Sequence, residues 1–247
     1  MKRLIATAAL LSTLATAAFA QGIEEMTDEE RAQFRAEVRA YLFENPEVIM
    51  EAVEILQNRE AQQQAQADFD LVSDNADAIF DDGYSWVGGN PDGDIVLVEF
   101  LDYRCGYCKR AHSEVLQLLE SDGNIKWIVK ELPILGDASV LASRFAVAVK
   151  QVSGDDSYAA VGDALMSFQG DITMPALRRL GNTFGLDMDT VEARMNSDEV
   201  TAEIATTRQL AGVLGISGTP TFVMQDELLR GYLPLDQMQA LVDEKRG

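Results

Sequence analysis

Two cysteines separated by two residues carry the most evident chemistry in this sequence. Cys105 and Cys108 enclose Gly106 and Tyr107, and they are the only cysteines among 247 residues. A pair at this spacing can make and break one small disulfide ring, but it cannot build a disulfide scaffold. The spacing therefore indicates either a redox-active disulfide or half of a metal site.

The zinc alternative needs further ligands, which the rest of the sequence does not supply. A structural zinc ion takes four protein ligands, commonly cysteine and histidine. The chain has no other cysteine and a single histidine, His112. We interpret His112 as a residue on the surface of a helix. We therefore expect no metal and no cofactor other than the redox-active disulfide Cys105–Cys108.

The segments beside the cysteine pair predict a strand followed by a helix. The apolar run 95–101 is typical of a buried strand, and residues 109–120 have a helical pattern. The N-terminus of a helix presents unpaired N–H groups and about half a positive charge. Cys105 would lie there with its thiolate stabilised, which predicts that it is the attacking sulfur. Cys108, one turn later, should be more buried and should resolve the mixed disulfide.

The remaining pattern predicts an α/β thioredoxin fold with a helical insertion, within a catalytic domain over 73–247. Residues 137–212 contain helical patterns and no convincing strand. Further strands and a last helix are expected at residues 84–88, 125–132, 221–224, 228–232 and 236–245. The order is then strand, helix, strand, helical insertion, strand pair and helix.

Residues 1–20 are predicted to be a cleaved secretory signal peptide. They combine two basic residues, an uncharged apolar stretch and an Ala-Phe-Ala end. The apolar stretch is shorter than the about 20 residues that span a bilayer. We therefore expect export, cleavage after Ala20, no membrane insertion afterwards, and an oxidising compartment in which disulfide chemistry is common.

Residues 21–72 are predicted to form an N-terminal helical arm. Thr27 and Glu30 fit a capping box at the start of a first helix, and Asn45–Pro46 fits the start of a second. Their apolar residues recur at helical spacing, and the arm cannot bury them alone. Two arrangements would bury these residues: the arm folds back on the catalytic domain, or it pairs with copies of itself. We favour a homo-oligomer formed through residues 27–60.

The charge of the chain excludes one class of partner. The formal net charge is −21 at pH 7. Such a surface repels phosphate backbones, so we expect no nucleic-acid partner.

The segment Phe100–His112 resembles the active-site run of DsbA-family thiol:disulfide interchange proteins, most closely the ScsC-like (suppressor of copper sensitivity) branch. The run Tyr41–Val48 resembles the leader helices of that branch. The resemblance implies a periplasmic protein, trimeric through its arm, that acts on unfolded or misfolded cysteine-containing secreted proteins. It also implies a membrane redox partner of the DsbD or DsbB type.

The resemblance assigns roles to two further charged residues. Glu99, six residues before Cys105, matches the buried acid that lies beneath the second cysteine and accepts the proton of Cys108. Lys130 matches the strand lysine that approaches this acid in relatives. The alternatives are a carboxylate of Glu99 that faces water at a strand edge and a plain surface lysine at Lys130.

The resemblance also assigns a substrate-binding surface. Thr219–Pro220 matches the cis-proline loop that packs against the cysteine pair, and the backbone of Thr219 would pair with an extended substrate segment as an added strand. Gly106 lets the backbone turn tightly, and Tyr107 offers a large face beside the sulfur. We expect these four residues to contact the substrate.

The residues between the cysteines favour an isomerase. Unlike DsbA, this chain has no histidine there, which removes one cationic stabiliser of the Cys105 thiolate and predicts a weaker oxidant. We therefore predict a protein disulfide isomerase or reductase. Two alternatives remain open. One is a monomeric DsbA-like dithiol oxidase, and the other is a copper-resistance protein whose two soft thiolates bind Cu(I).

Overall fold

The computed structural model describes residues 26–247. The predicted signal peptide, residues 1–20, lies outside the described residues. Among residues 26–247, no helix is both long enough and apolar enough to cross a membrane.

The described residues form ten helices and one mixed sheet of five strands. The helices are α1 Asp28–Glu44, α2 Glu47–Asp74, α3 Ala76–Phe80, α4 Gly106–Asp122, α5 Asp137–Ser153, α6 Asp155–Ser167, α7 Met174–Thr183, α8 Met188–Met195, α9 Asp198–Val213 and α10 Leu235–Arg246. The strands are β1 Trp86–Gly89, β2 Ile95–Leu101, β3 Ile125–Glu131, β4 Thr221–Met224 and β5 Glu227–Arg230. The predicted thioredoxin fold with a helical insertion is confirmed, since helices α5 to α9 occupy the insertion.

The first helix begins at the predicted capping box. The backbone N–H of Glu30 donates to Thr27 Oγ1 at 3.3 Å, and the backbone N–H of Thr27 donates to Glu30 Oε2 at 2.9 Å. Asp28 is the first helical residue, as expected. Two otherwise unpaired donors at the helix N-terminus are thus satisfied by one reciprocal contact.

The structure divides into two compact units, one up to Ala61 and one from Gln62 to Gly247. This division falls earlier than the boundary expected between residues 72 and 73, because the end of α2 packs with the second unit. Val72 is buried in the core. Arg230 donates to both carboxylate oxygens of Asp68, at 2.6 and 2.9 Å.

Strand β2 lies at the centre of the sheet, whose order is β1-β3-β2-β4-β5. It pairs in parallel with β3 and antiparallel with β4. Its residues are almost all buried, which matches the continuous apolar run that predicted this strand.

The two faces of β2 point into two separate cores. Glu99 is opposite Val129 in the register, whereas Phe100 is opposite Lys130. The first core contains Leu97, Val129 and the buried face of α4, and the second contains Phe100. Because neighbouring residues of a strand point to opposite faces, Glu99 belongs to the first core and Lys130 to the second.

This register makes one site prediction wrong, because Lys130 does not approach Glu99. Lys130 is buried, and its ammonium donates to Asp82 Oδ2 at 2.5 Å and to Ser85 Oγ at 3.2 Å. Burial lowers the pKa of Lys130, and the hydrogen bond to Asp82 opposes that shift. The surface-lysine alternative is wrong as well, and Lys130 is one half of a buried ion pair.

Replacing Asp82 with asparagine tests this ion pair. The ammonium of Lys130 would lose its nearest anionic partner, so we expect D82N to lower the free energy of unfolding by about 3–5 kcal/mol, measured by urea denaturation. The control is R178M, which removes an exposed pair with Asp189 and Glu192 and should cost less than about 1 kcal/mol. Equal losses in both variants would contradict the assignment.

Candidate functional site

Cys105 caps the N-terminus of α4. The helix begins at Gly106, so Cys105 lies at its N-terminus as predicted. The Cys105 sulfur accepts a hydrogen bond from the backbone N–H of Cys108 at 3.4 Å and donates one to the carbonyl oxygen of Thr219 at 3.0 Å. Both cysteines are free thiols. A sulfur at this position is stabilised as a thiolate by the helix N-terminus.

Cys108 lies in a different environment, although it is only one turn further along α4. It is completely buried, as predicted, whereas Cys105 retains 7% of its exposure. Burial raises the pKa of the Cys108 thiol well above its ordinary value, and the charges of Glu99 and Cys105 add to the rise. Cys108 therefore holds its proton more tightly than an ordinary cysteine does.

Glu99 is buried in the first core, so the alternative in which it faces water is wrong. Among residues 26–247 no hydrogen bond of ordinary geometry reaches either carboxylate oxygen, although the Trp127 side chain acts on the carboxylate as a hydrogen-bond donor. Burial raises the pKa of Glu99 to about 7, while His112 and Trp127 oppose the rise. A carboxyl group with this pKa can accept or release a proton near neutral pH.

The loop before β4, the strand next to β2, lies beside the cysteine pair. The Thr219–Pro220 peptide bond is cis, which confirms that prediction. Thr221 of β4 is opposite Phe100 of β2, so the register brings this loop to the end of the strand that leads to Cys105. The Thr219 carbonyl is thereby placed within hydrogen-bond distance of the Cys105 sulfur.

Aromatic side chains form the exposed surface beside Cys105. Tyr107 is 62% exposed, and its ring centroid lies 6.0 Å from that of Tyr232. The guanidinium of Arg110 lies 4.6 Å from the Tyr232 ring. The Tyr232 hydroxyl donates to Glu114 at 2.6 Å. Sequence reasoning missed Tyr232, which lies far along the chain and has no local motif.

Asp102 holds the turn that precedes the cysteines, and sequence reasoning missed it too. Its side chain is buried and accepts hydrogen bonds from the backbone N–H groups of Arg104, Ile134 and Leu135 at 2.8, 2.8 and 3.0 Å. Its carbonyl accepts from the N–H of Cys105 at 3.0 Å. An aspartate just before a helix N-terminus is the available signal, since this residue type often binds nearby backbone N–H groups.

His112 is not the surface residue that the sequence predicts. It is buried, and its Nε2 lies 2.9 Å from Asp163 Oδ1. Its ring centroid is 6.0 Å from that of Trp127. Residues four apart share one face of a helix, and Cys108 and His112 both lie on the face of α4 that packs into the first core.

A second buried carboxylate, Glu131, lies at the end of β3. The hydroxyls of Tyr103 and Tyr158 both donate to its Oε1 at 2.7 Å, and that of Ser143 donates to Oε2 at 2.7 Å. Burial raises the pKa of Glu131 to about 7, against the effect of these three donors. Its charge in turn raises the pKa of Glu99.

Two protein-family models match the chain, and together they cover both of its parts. Residues 96–243 match the model described as DSBA-like thioredoxin domain. Residues 30–63 match the model described as Copper resistance protein ScsC N-terminal domain.

Several solved structures are similar. A thioredoxin-like oxidoreductase from Silicibacter pomeroyi is 40% identical, with a TM-score of 0.65, over 69% of this chain and 96% of its own. A linker-deletion mutant of ScsC from Proteus mirabilis is 26% identical, with a TM-score of 0.65, over 94% and 99%. A periplasmic thioredoxin-like protein from Salmonella enterica serovar Typhimurium is 28% identical, with a TM-score of 0.62, over 69% and 94%.

Curated relatives include longer proteins. The Na(+)/H(+) antiporter NhaA 3 of Salinispora tropica is 25% identical over 156 residues, which are 63% of this chain and 24% of the antiporter. The chain thus spans about a quarter of the length of the first curated relatives it matches. The similarity concerns one region of those proteins.

Replacing Glu99 with glutamine tests the buried carboxyl group through the pH dependence of stability. The folded protein keeps the Glu99 proton up to a pKa of about 7, whereas the unfolded chain releases it near the ordinary value of 4.5. The folded state therefore loses stability as the pH rises through this interval. From about pH 5 to about pH 8, the free energy of unfolding should fall on the order of 2 kcal/mol more in the wild type than in E99Q.

Urea denaturation of the reduced protein at both pH values measures this difference. E120Q, at an exposed position of α4, is the matched control and should follow the wild type. Identical pH dependence in the wild type and E99Q would show that Glu99 titrates normally.

Proposed function

Because the chain belongs to the DSBA-like thioredoxin domain family, we propose that it is an exported protein disulfide isomerase and reductase of secreted proteins. Its general class is thiol:disulfide oxidoreductase. The observation that carries the proposal is the contrast between the two sulfurs. Cys105 caps α4 and contacts the Thr219 carbonyl, while Cys108 is fully buried one turn later.

The proposed reaction begins at Cys105. Its thiolate attacks one sulfur of a wrong disulfide, which forms a mixed disulfide and releases the other substrate sulfur as a thiolate. If a substrate thiolate then displaces Cys105, the substrate disulfide is isomerised and the enzyme stays reduced. If Cys108 displaces the substrate instead, the substrate is reduced and the Cys105–Cys108 disulfide forms.

We assign Glu99 as the base for the second route. Cys108 must lose its proton before it can attack, and the apolar surroundings that raise the pKa of its thiol keep bulk water away. The charge of Glu99 acts on Cys108, and its pKa of about 7 suits proton exchange near neutral pH. Glu99 would take the Cys108 proton as the new disulfide forms.

The substrate would bind across the surface formed by Gly106, Tyr107, Thr219 and Pro220. An extended segment that adds beside the Thr219 backbone would bring its disulfide to Cys105. Tyr107 is the exposed aromatic side chain beside the Cys105 sulfur. Its ring contacts the tilted ring of Tyr232, which favours one position for it.

Export and redox state complete the proposal. Residues 1–20 have the pattern of a signal peptide, and a similar structure is described as periplasmic. An isomerase must be kept reduced in an oxidising compartment, so a membrane reductant of the DsbD type suits this role better than an oxidant of the DsbB type.

The N-terminal unit is proposed to join several copies, as a trimer by family resemblance. Its apolar side chains are exposed, and they line a groove of about 500 Å³. The groove is formed by Phe34, Arg35, Val38, Arg39, Leu42, Phe43, Pro46 and Ile49. Exposed apolar surface of this kind is typical of protein interfaces, and several active sites on one oligomer would help to hold a non-native client.

Charges placed in this groove test the oligomer. Val38 and Ile49 are both exposed and line it. We expect the double variant V38E/I49E to be monomeric by light scattering, because burying two carboxylates in a seam is costly. It should lose isomerase activity on scrambled ribonuclease several-fold while keeping insulin reduction.

The matched control adds two glutamates at exposed positions outside the groove. Gln33 and Gln57 serve this purpose, and Q33E/Q57E should behave as the wild type. A monomeric wild type whose isomerase activity survives V38E/I49E would contradict the oligomer.

Removing the resolving sulfur tests the assignment of the two cysteines. In C108S the mixed disulfide cannot be resolved from within, so clients should accumulate on Cys105 and appear as adducts on non-reducing gels. C105S should give none, because Cys108 is buried. Adducts in both variants would contradict the assignment.

Copper binding is a second candidate, favoured by the copper-resistance name of the family model at residues 30–63. Two adjacent thiolates suit Cu(I). Titration of the reduced protein with Cu(I), alongside insulin reduction, separates the two functions. Tight copper binding without reductase turnover would replace the disulfide isomerase proposal.

A further inference from the structure

Three polar groups of the first core have no hydrogen bond of ordinary geometry among the described residues. They are the carboxylate of Glu99, Nδ1 of His112 and the indole Nε1 of Trp127. Both His112 and Trp127 affect the ionisation of Glu99. Buried polar groups are normally paired. Here the charge of His112 and the indole N–H of Trp127 both act on the Glu99 carboxylate, so the three groups form one interacting cluster.

His112 connects this cluster to the surface. Its Nδ1 is buried, while its Nε2 lies 2.9 Å from Oδ1 of Asp163 on α6. The side chain of His112 is 11% exposed and that of Asp163 is 57% exposed. One imidazole ring thus has one nitrogen in the core and the other on a carboxylate that water reaches.

A small cavity lies against the same ring. It has a volume of about 20 Å³ and is lined by His112, Trp127 and Asp163, among others. A cavity of more than about 10–15 Å³ holds one water when polar groups line it. The cavity is therefore large enough for one water beside the His112 ring, on the side that Asp163 lines.

We propose that His112 and Asp163 form the proton path between buried Glu99 and solvent. The proposal rests on the proposed role of Glu99 as the base for Cys108. His112 is then a positioning and proton-carrying residue, since it acts on the reacting sulfur through Glu99.

The steps balance when the Cys105–Cys108 disulfide forms. The Cys108 thiol gives its proton to the Glu99 carboxylate, and the Cys108 thiolate attacks Cys105 and expels the substrate thiolate. Glu99 passes the proton to Nδ1 of His112. The proton on Nε2 leaves to Asp163 and from there to water.

The same path works in reverse when the enzyme disulfide is reduced. The departing Cys108 thiolate takes a proton from Glu99, Glu99 takes one from Nδ1 of His112, and Nε2 is protonated again from Asp163 or water. Oxidation moves the ring proton from Nε2 to Nδ1, and reduction moves it back. One redox cycle therefore restores the starting tautomer without rotation of the ring.

Other titratable groups around His112 do not offer the same exit. They are Cys108 on α4, Glu99 on β2, Glu131 on β3, Tyr103 before α4, and Tyr158 and Asp163 on α6. Burial raises the pKa of both tyrosines well above the ordinary value, so they stay neutral. Glu131 is itself buried and accepts three hydroxyl donors. Of these groups, Asp163 is the one on the solvent side.

The test uses H112Q, whose side-chain amide can still hydrogen-bond to Asp163 but cannot carry a proton. The reduced full-length protein reacts with glutathione disulfide, samples are quenched with acid, and mass spectrometry follows two steps. The first step is glutathionylation of Cys105, and the second is release of glutathione by Cys108. Separate rates for the two steps distinguish proton transfer from a general loss of activity.

We expect a pH-dependent defect in the second step alone. Near pH 6 most Glu99 is protonated, since burial holds its pKa at about 7, and must release its proton before it can accept another. The second step should then be slower in H112Q on the order of tenfold, less than the loss of a direct acid–base group because Glu99 remains. Near pH 8 Glu99 is already ionised, and the two rates should converge. The first step should be unchanged.

Two variants on α6 keep the test decisive if H112Q folds poorly. D163N removes the exposed end of the path and should slow the second step near pH 6. D156N changes an exposed carboxylate of the same helix and should have no effect. Normal second-step rates in both H112Q and D163N would overturn the proposal, as would an H112Q defect that is the same at both pH values.

E99Q separates failure of the path from failure of the proposed function. If E99Q slows the second step and H112Q and D163N do not, Glu99 is the base but its proton leaves by another route. If E99Q itself leaves the second step unchanged, the role of Glu99 fails, and the path through His112 falls with it.

Discussion

The pairing of β2 with β3 on one side and β4 on the other is the constraint on which the site depends. The C-terminal end of β2 leads through the Asp102 turn to Cys105. The register of β4 against β2 brings the Thr219–Pro220 loop to the same end. A strand that is hydrogen-bonded on both edges and packed on both faces holds these groups in place more firmly than a loop can.

The apolar core beneath β2 creates the chemical difference between the two sulfurs. Water is excluded from Cys108 and Glu99, so burial raises the pKa of both groups above their ordinary values. Cys105 lies at the boundary of the same core, where the N-terminus of α4 stabilises negative charge. One helix thus places one sulfur at its N-terminus, near the surface, and a second sulfur one turn later in the core.

The fold and the central chemistry were predictable because they depend on local patterns. An apolar run predicted β2 with its observed bounds, and the capping box predicted the start of α1. The cysteine pair was predicted at the N-terminus of α4, where Cys105 is the N-cap and Gly106 opens the helix. Lys130 shares a face of the sheet with Phe100 and not with Glu99, because β3 pairs with β2 in that register. A shift of one residue would reverse this, and no local sequence pattern specifies the register.

The sequence by itself determined the thioredoxin-type order of elements, the cysteine pair at a helix N-terminus and the amphipathic arm, because all three follow from residue type and short spacing. Only the tertiary structure decided that His112 is buried against Asp163, and that Lys130 pairs with Asp82 in the second core. These contacts join residues far apart along the chain, and their existence depends on how helices and strands pack on the two faces of one sheet.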